Sequence, residues 1–147
     1  LLEGLVFAAR IADDIHMTLR KFKREEPVMM SSAEILIAPE LRTEIANAMS
    51  VGAGVIRTRA SLESTAQRLE EISRSVSDKP CVEAWEATNL FTLAQVIVAS
   101  ALIREETRGS HWREDFPNES DAWLRRIVEQ MDGAGKLTHR FEKVNND

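Results

Sequence analysis

ALIREETRGSHWREDFP, residues 101–117, follows a long apolar run and is denser in groups capable of chemistry or docking than any other stretch of the chain. It sets Arg104, Arg108, His111 and Arg113 against Glu105, Glu106, Glu114 and Asp115, with Gly109 as the expected stop of the preceding helix. Alternating charge at a helix end is ordinarily a solvated face, in which Glu–Arg pairs three or four apart add only ~0.2 to 0.5 kcal/mol each. His111, Trp112 and Phe116 are interleaved with these charges beyond the expected stop. Aromatics in that position mark a surface that docks rather than one that stays hydrated.

Upstream of this segment, Trp85, Leu90, Ala94, Ile97, Val98 and Ala101 predict the most apolar helix of the chain, running to about Arg108. Asn89 falls within its apolar face, where a hydrogen bond to a neighbouring helix is expected. Ser73 to Pro80 reads as a turn, with Asp78 as helix cap and Pro80 in the first turn. Leu41, Ile45, Ala48, Met49 and Gly52 form an earlier stripe, and the pattern resumes at Val55 and Ile56, then Leu62, Ala66, Leu69 and Ile72. Two helical segments or one bent helix follow, with Gly52-Ala53-Gly54 at the break. These glycines lack the spacing of a phosphate loop and no strand precedes them, so close helix packing is expected, with Arg57 and Arg59 as solvated or interdomain cations.

The fold expected is all-α: a three-helix up-and-down bundle, spectrin-repeat-like, over 40–117. An extra N-terminal helix over 1–24 precedes it, with Leu2, Leu5, Ala9, Ala12, Leu19 and Phe22 three or four apart in phase. A linker over 25–39 contains Met29, Met30 and the capping pair Ser31 and Glu34, and ends at Pro39 in the first turn of the next helix. In the extension over 118–147, Trp123, Leu124, Ile127 and Met131 fit a short helix, whereas Asp132-Gly133 before alternating Leu137, His139 and Phe141 fits a β-hairpin.

Composition narrows the function. The 147 residues carry 44% hydrophobic and 29% charged side chains, as a folded globular chain does. A net charge of −5 without a basic block argues against nucleic acid. No apolar run of about twenty residues is evident, so no membrane helix is expected. The single cysteine, Cys81, fits a reducing cytoplasm, and the start at Leu1 looks like that of an excised piece. His16, His111 and His139 are too far apart in sequence to suggest a metal site, and no catalytic triad or carboxylate pair is supported.

The run REETRGSHWREDFP, with the opening LLEGLVFAAR, resembles the C-terminal part of L-aspartate oxidases, within the wider family of succinate dehydrogenase and fumarate reductase flavoproteins. The resemblance covers nearly the whole chain; Thr107 stands where the family usually has Ser. It implies a C-terminal hairpin, and a first helix that closes a missing FAD-binding domain with its N-terminus toward the isoalloxazine ring. Leu1 matches the second residue of a Ser-Leu pair that touches FAD through its backbone. The partners implied are the FAD-binding and capping domains of the same chain. The parent would oxidise L-aspartate to iminoaspartate for quinolinate and NAD synthesis, and this piece would hold no cofactor and be inactive alone. Arg108, His111 and Arg113 are the candidate cations at the interdomain contact near the active-site mouth. A succinate dehydrogenase or fumarate reductase flavoprotein, and a free-standing helical interaction module, remain alternatives. The apolar stripe of the first helix also allows self-association of the fragment.

Overall fold

The computed structural model describes residues 2–19, 36–132 and 135–144. The chain divides into two compact units, 1–33 and 34–147. The first contains helix α1, Leu2–Leu19. Leu5, Phe7, Ile11, Ile15 and Met17 of α1 are all exposed. Leu1 and the expected capping pair Ser31 and Glu34 lie outside the described residues.

The second unit is the bundle. Its strand and helix order begins with β1 (Leu36–Ile37), a 3-10 turn (Pro39–Leu41) and α2 (Arg42–Gly52), and continues through β2 (Ile56–Arg57), α3 (Arg59–Ile72) and β3 (Val76–Ser77) to α4 (Val82–Ile103). The helices α2, α3 and α4 pack on one another around Ile45, Leu62, Leu69, Ile72, Phe91 and Val98. The periodic stripes anticipated this core because only one face of α2 and α3 is apolar enough to leave water. At Gly52 the helices α2 and α3 approach closely: a Cβ there would lie 1.9 Å from Thr65 Oγ1 and 2.9 Å from the Ser61 carbonyl.

Several boundaries differ from expectation, each for a local reason. Helix α3 begins at Arg59 rather than near Val55, because Thr58 and Ser61 form a reciprocal capping box through bonds of 3.1 Å in each direction. Val55 and Ile56 are left exposed. Helix α4 is capped by Cys81, not Asp78, and Pro80 lies before the helix. The cause is β3, which pairs antiparallel with β1 and keeps the chain extended through Ser77. Residues of β1 fall within the expected linker, yet Leu36 and Ile37 are buried. The Ile37 amide donates to Thr88 Oγ1 at 2.9 Å, while Asn89 is exposed, so Thr88 is the polar link out of α4.

Helix α4 has 22 residues and is, by length and composition, apolar enough to cross a membrane, contrary to the expectation that no such run exists. Here it is the central bundle helix, with Ala84, Ala87, Phe91, Ala94, Val98 and Ala101 buried. It stops at Ile103, short of the expected Arg108, and Arg104 turns into an extended conformation. Beyond it come β4 (Trp112–Arg113), a 3-10 turn (Asp121–Trp123), β5 (Arg125–Met131) and β6 (Leu137–Lys143). Strands β5 and β6 form the antiparallel hairpin that the resemblance implied, from Arg125 opposite Lys143 to Met131 opposite Leu137. The Asp132 amide donates to the Lys136 carbonyl at 3.1 Å, and Gly135 has φ +79°. Ser100 Oγ donates to Glu129 Oε1 at 3.0 Å and joins the hairpin to α4.

Candidate functional site

The extended chain after Ile103 has a side-chain period of two, so Arg104, Glu106 and Arg108 project to one side. Glu106 is the hub and is 0% exposed. Its Oε1 accepts from Arg104 Nη1 at 2.5 Å, both its oxygens accept from Arg108 Nε at 3.1 Å, and Oε2 accepts from the Ser120 amide at 3.0 Å. Burial opposes its ionisation, but the bonds from Arg108, Ser120 and Arg104 outweigh burial and hold the carboxyl below its ordinary value. Arg104 also donates to the carbonyls of Trp123 (3.0 Å) and Arg125 (2.6 Å). Arg108 reaches Glu119 at 3.0 Å and the Ser120 carbonyl at 3.3 Å. The segment leading to the hairpin is thereby tied to the end of α4.

The chain then reverses. The Arg108 amide donates to the His111 carbonyl at 2.9 Å and the His111 amide to the Arg108 carbonyl at 3.1 Å, around Gly109 at φ +60°. A positive φ at the first central residue alone is the arrangement of a type II′ hairpin turn, so Gly109 serves this turn and not the helix stop. On the return limb His111, Arg113 and Asp115 again alternate. Arg113 is 0% exposed. Its Nε and Nη2 hold the two oxygens of Asp115 at 2.8 Å each, and its Nη1 donates to the carbonyls of Ala101 (2.6 Å) and Arg104 (3.2 Å). A guanidinium thus satisfies the orphan carbonyls of the last turn of α4 and meets the negative end of its dipole, which is why the helix stops there. The bonds from Arg113, against burial, and the Arg59 amide at 2.8 Å hold Asp115 well below the usual carboxylate range.

This ribbon is stitched to the α2–α3 junction. Strands β2 and β4 pair in parallel, Ile56 opposite Trp112 and Arg57 opposite Arg113, and Arg59 forms an ion pair with Glu105. Arg57 Nε donates to the carbonyls of Ala53 (3.2 Å) and Gly54 (2.7 Å), closing the end of α2 much as Arg113 closes α4. Between Arg57 and Arg104 sits His111. Its Nδ1 is 3.0 Å from Arg57 Nη1 and its Nε2 is 3.1 Å from the Arg104 carbonyl. A guanidinium can only donate, so Nδ1 accepts and Nε2–H donates to the carbonyl. Burial is the main cause lowering the His111 pKa; the Arg104 carbonyl opposes this, and the charges of Arg57, Arg104 and Arg113 add to it.

The structure therefore brings Arg108, His111 and Arg113 into one network, and their charge-assisted bonds run to partners within the bundle. Two members escaped the sequence reading. Glu106 looked like one more solvated charge, and Arg57 was read as a flanking cation. Trp112, between His111 and Arg113, points the other way and is 51% exposed. An open groove of about 340 Å³ beside the ribbon is lined by Arg57, Ile97, Ser100, Arg104, His111 and Ile127, among others. Chemically, the charged groups are committed to one another, and among the described residues no cluster suited to a metal ion occurs. The arrangement is equipped to hold surfaces in place.

Residues 42–147 match the family described as fumarate reductase flavoprotein C-term. The L-aspartate oxidase of Streptomyces coelicolor is 39% identical over 89% of this chain and 26% of its own length. The succinate dehydrogenase flavoprotein of Rickettsia bellii is 35% identical over 82% of this chain and 22% of its own. Among solved structures, the Mycobacterium smegmatis Sdh1 complex in the apo form superposes with a TM-score of 0.60 at 22% identity, over 92% of this chain and 24% of that one. The chain thus spans about a quarter of the length of these relatives.

Proposed function

The chain belongs to the fumarate reductase flavoprotein C-terminal family, and from that premise we propose that it is the C-terminal helical domain of an FAD-dependent L-aspartate oxidase. The observation that supports the aspartate branch is the identity to the Streptomyces relative, which extends over about nine-tenths of the chain. In this reading the parent enzyme is cytoplasmic and converts L-aspartate to iminoaspartate, the precursor drawn into quinolinate and NAD synthesis. The bound FAD of such an enzyme supplies the two-electron acceptor for the hydride of the aspartate α-carbon.

The Gly52-Ala53-Gly54 break does not fit a flavin site. Gly52 faces Thr65 and Ser61 across a helix contact, so the Gly-Ala-Gly break serves packing and not a pyrophosphate. No step of the oxidation is assigned to the described residues. Their role is structural: Arg108, His111 and Arg113 fix the ribbon 104–115, and the ribbon braces the bundle against the FAD-binding and capping domains near the active-site mouth, with Trp112 toward the contact.

The test uses the full-length gene product. Bleaching of its bound flavin by L-aspartate, with peroxide formed in air, is the expected result. Bleaching by succinate alone would move the chain to the dehydrogenase and reductase branch, and a gene product that binds no flavin would leave a helical interaction module. For the bracing role, Arg108→Ala in the full enzyme should weaken FAD retention or lower the melting temperature; no change in either removes it.

A further inference from the structure

Arg57 differs from the other cations around the ribbon in having no counter-charge. Arg104 and Arg108 share Glu106, Arg113 holds Asp115, and Arg59 pairs with Glu63 and Glu105. Arg57 donates to neutral acceptors: the carbonyls of Ala53 and Gly54 from Nε, and His111 Nδ1 from Nη1. Among the described residues no carboxylate pairs with it, and its Nη2 makes no hydrogen bond. The residue is half-buried. A partly desolvated charge without a counter-ion is costly, and an anion that reaches it is correspondingly favoured.

Arg57 lines the open groove of about 340 Å³ beside the ribbon, whose walls are made apolar by Val96, Ile97 and Ala101 of α4 and Ile127 of β5. The other polar groups of the lining are committed. Arg104 gives Nη1 to Glu106 and the Trp123 carbonyl and Nη2 to the Arg125 carbonyl, and both ring nitrogens of His111 are bonded. Ser100 Oγ donates to Glu129 on the hairpin side, and among the described residues no carboxylate lines the groove itself. The local field is positive: His111 is kept from protonation first by burial and then, against its bond to the Arg104 carbonyl, by the charges of Arg57, Arg104 and Arg113. An inorganic ion would meet Arg57 and leave the walls wet, whereas a hydrocarbon would cover the walls and leave Arg57 without an acceptor. A carboxylate on a short hydrocarbon body satisfies both.

We propose that this groove is a binding site for a small organic carboxylate, whose oxygens accept from Arg57 Nη2 and whose hydrocarbon body lies against Ile97, Ala101 and Ile127. With Nε and Nη1 already in use, Arg57 offers one terminal nitrogen rather than a bidentate fork. Affinity is therefore modest and comes from both ends of the ligand. The site goes beyond the oxidase reading and does not depend on it.

The probe is isovalerate, with isovaleramide as its uncharged counterpart and inorganic phosphate as an anion without a hydrocarbon body. Chemical-shift titrations of the 147-residue chain follow the ring protons of His111 and the methyl groups of Ile97 and Ile127. The expected result is a saturable shift at all three with isovalerate, and binding at least about tenfold weaker with the amide or with phosphate. Arg57→Gln should weaken isovalerate binding by about tenfold, while Arg42→Gln, at an exposed position of α2, should leave it unchanged. Because Arg57 also closes α2, a second variant leaves it in place. Ile97→Glu, at a position 45% exposed, puts a carboxylate into the groove and should abolish binding with the bundle intact. No saturable binding overturns the proposal, as does binding that survives both Arg57→Gln and Ile97→Glu. Equal binding of the amide would make the groove merely apolar, and equal binding of phosphate would make it a general anion site; either also overturns it. The same titration of the full-length gene product should give the same affinity. Binding lost there would assign Arg57 to an acidic side chain of further polypeptide and overturn the site for a free ligand. None of these readouts involves flavin, so the outcome stands apart from that of the bleaching experiment.

Discussion

The ribbon 104–115 and the outer face of α4 adjoin, and they reverse the usual disposition of side chains. In the ribbon, Glu106 and Arg113 are charged and fully buried; on the helix face, Leu93 and Ile97 are apolar and largely exposed. The ribbon's groups satisfy one another, so their burial is complete without any partner. The helix face satisfies nothing, and its exposure costs free energy until something covers it. Density of charge in the sequence therefore marks a network whose charged groups are paired within the molecule, and the ordinary apolar positions mark a face left in water.

The contrast breaks most severely at Glu106. Glu106→Gln removes the one buried carboxylate between Arg104 and Arg108, whose side chains are only 17% and 30% exposed. Stranding partly buried cations costs about 3 kcal/mol, the low end for breaking a buried pair because both arginines retain some solvent. Thermal unfolding of the chain should shift down by roughly 10 °C. A shift of a degree or two would mean that the network is no more than a surface cluster.

Much of this division was legible in the sequence, but in a different period from the one applied. The three bundle helices and their core positions Ile45, Leu62, Leu69 and Val98 follow from a 3.6-residue stripe. The ribbon does not. Arg104, Glu106 and Arg108, then His111, Arg113 and Asp115, are two runs at spacing two on either side of Gly109-Ser110, which is the pattern of a turn between extended limbs. Reading those charges as i,i+3 and i,i+4 pairs prolonged α4 to Arg108 and made Gly109 its stop. What the sequence could not disclose is tertiary. That Arg113 would end α4, that Thr88 rather than Asn89 would reach β1, and that Arg57 would face His111 depend on contacts between residues 12, 51 and 54 positions apart.

A smaller break acts from beneath the ribbon. Gly52→Ala places a methyl against Thr65 and the Ser61 carbonyl, at the end of the helix that Arg57 closes. The backbone of α2 must move, at about 2 kcal/mol, the range for overpacking. A denaturant titration should show a lower midpoint with unchanged slope. An unchanged midpoint would show that α2 and α3 have room to separate.

His111 tests the electrostatic balance of the ribbon by pH. It is held neutral by burial and by the facing charges of Arg57, Arg104 and Arg113, so its folded pKa lies below the ordinary 6.5. A folded state that binds fewer protons than the unfolded chain loses stability as pH falls. The contribution of His111 is complete above about pH 6.5 and declines below it until the folded value is passed. Glu106 and Asp115, both shifted downward, contribute their own losses only at lower pH, beginning as pH falls through the usual carboxylate range. Urea titrations from about pH 7.5 to about pH 5 should show stability falling toward acid, and His111→Gln should flatten that slope. A slope that survives the substitution would place the proton elsewhere.

The gentlest substitution bears on the other side of the comparison. Leu93→Ser removes apolar surface that is already in water, so in the 147-residue chain it should change stability by no more than about 0.5 kcal/mol in either direction. Gel filtration should show less concentration-dependent association if the face contributes to self-association of the chain, since its apolar patch is smaller. If further polypeptide of a longer parent covers this face, the full-length protein should instead show a lowered melting temperature, because a hydroxyl then replaces a buried apolar side chain. A substitution that is silent in the chain and harmful in the parent separates a face built for a partner from one that is merely apolar. If it destabilises the chain alone by more than about 1 kcal/mol, Leu93 belongs to the bundle's own core and the comparison between ribbon and face dissolves.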